Sequence, residues 1–254
     1  MKNKTYKNVL PWKSMLFLGF CITLLIACKS NPNTDNQSDA GTSSVEKEEV
    51  ITAFAEDIEA FEKADQANFP PEGAALFVGS SSLRMWKTIE EDLAPFPVIN
   101  RGFGGSTFKE LNYYADRIVY PYKPKCVFVY EGDNDITKDE IGPTEVLEAF
   151  MKFHSDLKAK LPGTKVYFLS IKPSIRRENL LQKATETNRV VQQWALSQPD
   201  VDFVNVATAM MNDDGSIRSD IFIDDNLHMN ATGYALWTPI VKAYLQKEFR
   251  DDSN

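Results

Sequence analysis

Four short stretches of this 254-residue chain carry residue types that do chemistry when brought together. Gly79-Ser80-Ser81-Ser82 ends an apolar run, and a serine held at such a turn is a candidate nucleophile. Arg101-Gly102-Phe103-Gly104-Gly105-Ser106-Thr107 offers glycine backbone amides. Glu131-Gly132-Asp133-Asn134-Asp135 offers a carboxamide donor among carboxylates. Asp224-Asp225-Asn226-Leu227-His228 contains an Asp-x-x-His pair, and histidine is the side chain that accepts a proton near neutral pH. These are the parts of nucleophilic catalysis by serine: a hydroxyl, a base to activate it, an acid to orient the base, and N–H groups for developing negative charge.

Each part also has a plain structural use. Serine is a favoured helix N-cap, and asparagine is a common turn residue. Asp225 reads equally as a solvated loop charge, and His228 as a structural histidine. The glycine run does not make a nucleotide loop, because GxGxxG needs glycine where Thr107 stands and no GxxxxGK[ST] occurs. His154, the other histidine, shares a helical stretch with Leu147, Phe150, Met151 and Leu157, which is a packing position. Histidine and cysteine are too sparse for a metal site, so neither metal nor other cofactor is expected.

The elements that must position these residues alternate regularly. Strand-like runs lie at Ala74–Val78, Pro97–Asn100, Cys126–Tyr130, Val166–Ile171 and Val201–Val206. Helical patterns separate them at Leu83–Leu93, Phe108–Val119, Thr144–Leu161, Arg177–Ser197 and Ala231–Phe249. A further amphipathic helix, about Glu48–Ala67, precedes them with Ile51, Phe54, Ile58 and Phe61 on one stripe. Strands apolar on both faces and alternating with helices predict a five-stranded parallel sheet in an α/β/α three-layer sandwich. In such a sheet the first three loops lie on its C-terminal edge, where open α/β folds bind ligands, and the fourth can return there.

The N-terminus reads as an export signal. Lys2, Lys4, Lys7 and Lys13 precede a 13-residue, mostly apolar core, Met15–Ala27, which is too short to span a bilayer as a helix. Leu25-Ile26-Ala27-Cys28 resembles a bacterial lipobox, in which the chain is cut before a cysteine that is then lipidated. The expected divisions are a signal at 1–27, a polar tether at 28–47 and one catalytic-size domain at 48–250. Processing would leave Cys126 as the sole cysteine besides the anchor, in an apolar strand where packing is its default role. Loss of the four signal lysines leaves 24 basic against 36 acidic residues, a net −12. That acidity argues against nucleic-acid binding, and no basic cluster recruits a membrane surface, so attachment would rest on the lipid.

FVGSSSLRMW, NRGFGGST, YEGDND and DDNLHMNATGY, in this order, resemble the four motif blocks of the SGNH hydrolases, or GDSL-type esterases. The resemblance covers the domain from Glu48 onward and implies a flavodoxin-like α/β/α fold and metal-free ester hydrolysis. It implies Ser81 as nucleophile, His228 as base and Asp225 as its orienter, with the Ser81 and Gly105 amides and the Asn134 side chain as oxyanion hole. The family's usual Gly-Asp before the serine is here Gly79-Ser80, a departure at a position outside the triad.

An exported esterase on a lipid tether, facing periplasm or cell surface, suits short acyl or O-acetyl esters, including acetylated glycans. Arg84, Trp86, Arg176 and Arg177 are candidates for substrate contact. The alternative is a glycan-binding lipoprotein that keeps the pocket with little turnover.

Overall fold

A computed structural model describes residues 40–250, with side chains from residue 53 onward. The expected signal, Cys28 and residues 29–39 of the tether lie outside the described residues. The apolar runs form five strands: β1 (Ala75–Gly79), β2 (Val98–Gly102), β3 (Cys126–Tyr130), β4 (Lys165–Leu169) and β5 (Val201–Val204). Every pairing is parallel, and the spatial order is β2-β1-β3-β4-β5. This is the flavodoxin-like order, in which the strand order reverses between β1 and β3 and opens a crevice there.

Parallel neighbours require crossovers, and α2 (Ser81–Arg84), α3 (Ile89–Leu93), α4 (Phe108–Ile118), α5 (Pro143–Lys160) and α6 (Leu181–Ala195) supply them, while α1 (Ala40–Ala67) precedes the first strand and α7 (Ala231–Phe249) follows the last. Alternate strand residues feed two separate cores. Leu76, Val78, Val127, Val129 and Phe168 pack with Ile58 of α1, Leu111 of α4, Phe150 of α5 and Val191 of α6. Ala75, Phe77, Phe128 and Tyr167 pack with Leu93 of α3 and with Trp237 and Val241 of α7. On this second face Phe77, Phe128 and Tyr167 stand in register on β1, β3 and β4, with successive ring centroids 4.6 Å apart. Such stacked rings add to area burial and fix the sheet's central register.

Three elements depart from the sequence pattern. The first helix starts at Ala40 instead of Glu48, since no proline stops propagation through residues 41–47. The stretch Leu83–Leu93 is two helices instead of one. Its break follows Met85, where the Trp86 indole donates to Asp92 at 2.6 Å, Thr88 donates to the same carboxylate at 2.6 Å, and Trp86 is fully buried. Finally, Arg177 does not open an α-helix: Ile175–Leu180 is a 3₁₀ segment with Arg177 at φ −119°, ψ 30°, and α6 begins at Leu181.

Candidate active site

The turn after β1 is built on one glycine. Gly79 has φ +137°, and a Cβ there would lie 2.0 Å from the Tyr130 carbonyl of β3, so only glycine fits. The chain then enters α2 with Ser80 as N-cap and Ser81 as first helical residue. The three serines have different surroundings. Ser80 and Ser82 are buried, and the Ser82 carbonyl accepts the Tyr234 hydroxyl at 2.9 Å. Ser81 is half-buried, and its Oγ lies 2.8 Å from His228 Nε2.

His228 comes from a tight loop between Phe222 and Met229, which bridge each other in antiparallel fashion. Ile223 N–H donates to the His228 carbonyl, and Asn226 N–H donates to the Ile223 carbonyl, both at 2.9 Å. Asn226 takes φ +57°, which asparagine tolerates better than most residues. Asn230 closes the loop as N-cap of α7, accepting Gly233 N–H and donating to the Asp220 and Phe222 carbonyls. Within the loop Asp225 Oδ2 is 2.5 Å from His228 Nδ1, while Oδ1 accepts the Leu227 and His228 N–H groups at 2.9 Å. Desolvation opposes ionisation of Asp225, but its hydrogen bonds with the His228 side chain and the two N–H groups outweigh it and lower the carboxyl to about 2. Asp224, the neighbouring acid, is exposed.

Two more loops follow β2 and β3, the strands on either side of β1. Gly105 has φ +80° with open space where a Cβ would stand, so glycine is required there by backbone conformation and not by crowding. Thr107 then starts α4 with a capping box to Glu110. From the β3 loop, Asn134 Nδ2 donates to the Ser106 carbonyl at 2.9 Å, leaving its second N–H for another acceptor. Ser106 Oγ in turn donates to Glu131 at 2.6 Å. Asp135 stitches the two loops by accepting Phe108 N–H at 3.1 Å and Gly132 N–H at 3.0 Å. Burial, opposed by those N–H groups, raises the Asp135 carboxyl to about 6. Burial, followed by the nearby Asp135 charge, pushes Glu131 well above the carboxylate range.

Geometrically, a carboxylate, an imidazole and a hydroxyl follow one another at Asp225, His228 and Ser81, and the Ser81 N–H lies in the first turn of α2. First-turn amides lack intrahelical acceptors and favour negative charge. The arrangement can pass a proton from Ser81 Oγ to His228 and hold an anionic oxygen near Ser81.

The remaining candidates separate. Trp86 cannot touch substrate: it is fully buried, with its ring stacked 5.3 Å from Tyr234, because the turn after α2 sends it into the core. Arg84 is exposed, and its guanidinium lies over Gly104. Arg176 is exposed, and its N–H donates to the Asn226 carbonyl at 3.0 Å, tying its loop to that of His228. Arg177 turns to Asp133 and Asn134. His154 is structural, 3.1 Å from Asp200 and edge-on to Trp194. Cys126 is buried, which pushes its thiol upward and makes it unreactive. The residues missed in the sequence are Glu131 and Asp133 as individuals, Ser106, and Lys172, which is 2 % exposed at the end of β4. The signal for Lys172 was a lysine directly after the strand-like run Val166–Ile171.

The GDSL-like lipase/acylhydrolase family matches residues 73–236, which contain all four loops. Among solved structures, a GDSL-like lipase from Bacteroides thetaiotaomicron is similar at TM-score 0.65 and 20 % identity, covering 75 % of this chain and 97 % of its own. A carbohydrate esterase family 3 protein from Talaromyces cellulolyticus aligns at TM-score 0.57 and 16 % identity, over 70 % of this chain and 99 % of its own. An acetylxylan esterase from Geobacillus stearothermophilus aligns at TM-score 0.54 and 15 % identity, over 70 % of this chain and 94 % of its own. No curated protein sequence matches. With the family matched across the sheet and every loop of the site, the chain belongs to the GDSL-like lipase/acylhydrolases and is a carboxylic ester hydrolase.

Proposed function

We propose that the protein is a serine esterase that removes short acyl groups, O-acetyl on glycans foremost, through an acyl-enzyme on Ser81. The observation that carries this is the unbroken line Asp225–His228–Ser81, with contacts of 2.5 and 2.8 Å. Ser81 Oγ attacks the ester carbonyl carbon as His228 Nε2 takes its proton, and Asp225 stabilises the imidazolium. The tetrahedral oxyanion receives the Ser81 and Gly105 N–H groups and the second Asn134 N–H. Collapse breaks the ester C–O bond, and His228 returns the proton to the leaving alcohol. Water, activated by the same base, then releases the acid and restores Ser81.

Two observations support small, polar esters. Among the described residues the exposed large apolar side chains are Phe69, Tyr113, Met151, Leu196 and Ile223, and only Ile223 belongs to a site loop. Long acyl chains need more apolar lining than that. Arg84 and Arg176, both exposed beside site loops, suit hydroxyl-rich substrates. The esterase and acetylxylan esterase names of two similar folds agree. Lipidation of an exported chain at Cys28 would hold the enzyme where such glycans are met.

The test is turnover of p-nitrophenyl esters of increasing chain length and acetate release from acetylated xylan oligosaccharides. Activity highest on acetyl esters is expected. Preference for long acyl chains would overturn the substrate assignment, and binding of acetylated glycan without turnover would favour the lectin-like alternative.

A further inference from the structure

Beside the site, a buried group of charges has no part in the mechanism above. Asp133, on the loop after β3, is held by two cations: Lys172 Nζ at 3.2 Å and Arg177 Nη1 at 2.6 Å. The side chains of Lys172 and Asp133 are 1 % and 8 % exposed, and Arg177 is 20 % exposed. Tyr130 donates its hydroxyl to the same carboxylate at 3.0 Å. Although burial opposes ionisation, the two cations hold Asp133 below its ordinary range.

Arg177 does more than pair with Asp133. Its Nη1 also donates to the Asp133 carbonyl at 2.7 Å, and its Nη2 donates to Asn134 Oδ1 at 2.8 Å. The Asn134 amide is therefore gripped at both ends, since its Nδ2 donates to the Ser106 carbonyl. A flipped amide would set its NH₂ against a guanidinium and its oxygen against a carbonyl, so two repulsions forbid it. Without Arg177 the oxygen end is released, and an oxygen turned toward the oxyanion would repel it.

We infer that Arg177 is a positioning residue of the oxyanion hole: its guanidinium fixes which end of the Asn134 carboxamide faces the reacting carbonyl and polarises the free N–H toward it. This deepens the esterase reading and rests on it. Donation into Oδ1 draws electron density from the amide nitrogen and strengthens N–H donation, as chained hydrogen bonds do. Asp133, itself anchored by Lys172 and the Tyr130 hydroxyl, keeps the guanidinium in place. The effect belongs to the transition state, where the oxyanion exists, and not to ground-state binding.

The experiment compares wild type, Arg177→Met, Arg177→Lys, Asn134→Ala and Arg177→Met/Asn134→Ala in the mature protein, on p-nitrophenyl acetate. Arg177→Met is expected to lower kcat about 10-fold or more, with KM within about threefold, the pattern of a lost transition-state interaction. In the Asn134→Ala background the same change should alter kcat by less than about threefold, because the group it positions is gone. Arg177→Lys keeps the charge on Asp133 but cannot span both partners, so it should fold with wild-type thermal stability and still lose kcat. Equal losses in both backgrounds, or a raised KM with kcat intact, would overturn the inference and leave the esterase reading standing. Absence of wild-type turnover would remove both.

Discussion

Ser81 and His228 are separated by 147 residues in the chain and by 2.8 Å in the fold. Neither Ser80 nor Ser82 shares that contact, since both are buried beside the turn. A fluorophosphonate should therefore modify Ser81 alone, read by mass spectrometry of the labelled peptide. Ser81→Ala should lower kcat by roughly 10⁴-fold or more, and adding His228→Ala should cost little further, because such residues act as a unit. Label on Ser80 or Ser82 with Ser81 untouched would reassign the nucleophile.

Asp225, held near 2, stays ionised through the neutral range and so can stabilise an imidazolium there. Asp225→Asn keeps the shape and removes the charge, and should lower kcat by about 10⁴-fold, as when a triad acid becomes an amide. A loss below tenfold, measured by steady-state kinetics, would leave His228 oriented by its loop alone.

Asn134→Ala removes the carboxamide proposed for the oxyanion and should reduce kcat by roughly 10²–10³-fold with little change in ground-state ester binding. Single-turnover kinetics separates the two effects. An unchanged kcat would take Asn134 out of the mechanism.

Glu131 gives a stability prediction. Its native carboxyl lies well above the ordinary 4.5, so the folded chain retains a proton that the unfolded chain releases. That contribution is full below 4.5 and is lost as pH rises toward the native value. Glu131→Gln keeps an acceptor for Ser106 and cannot ionise. Relative to wild type its melting temperature should rise as pH increases above 4.5. A difference independent of pH would show that Glu131 is ionised in the folded protein.

Cys28→Ser should abolish fatty-acid labelling and release the protein from the membrane fraction, because the Ala27–Cys28 junction reads as the lipidation site. Equal label in both forms would rule the anchor out.

The strands were legible because β1 and β3 are interior, and Ala75–Val78 and Cys126–Tyr130 must be apolar on both faces. The site loops were legible because glycine, serine, asparagine and histidine stood at strand ends in a family-like order. Trp86 was misread because the residues that bury it, Tyr234 and Trp237, come from α7 at the far end of the chain. Arg177 stood in the sequence as a candidate for substrate contact. Its role depends on Asp133, a contact spanning 44 residues that no local pattern announces.

The acid and the base travel together. Asp225 and His228 sit on one short loop whose internal bonds and Asn230 cap make it a single rigid piece, whereas Ser81 opens α2 just after β1. Any drift of the α7 end relative to the sheet leaves the carboxylate–imidazole pair intact and alters only the gap to the hydroxyl. Warming or a distant core substitution should therefore silence turnover while the Asp225–His228 contact persists, with the enzyme failing at the seam between two intact halves.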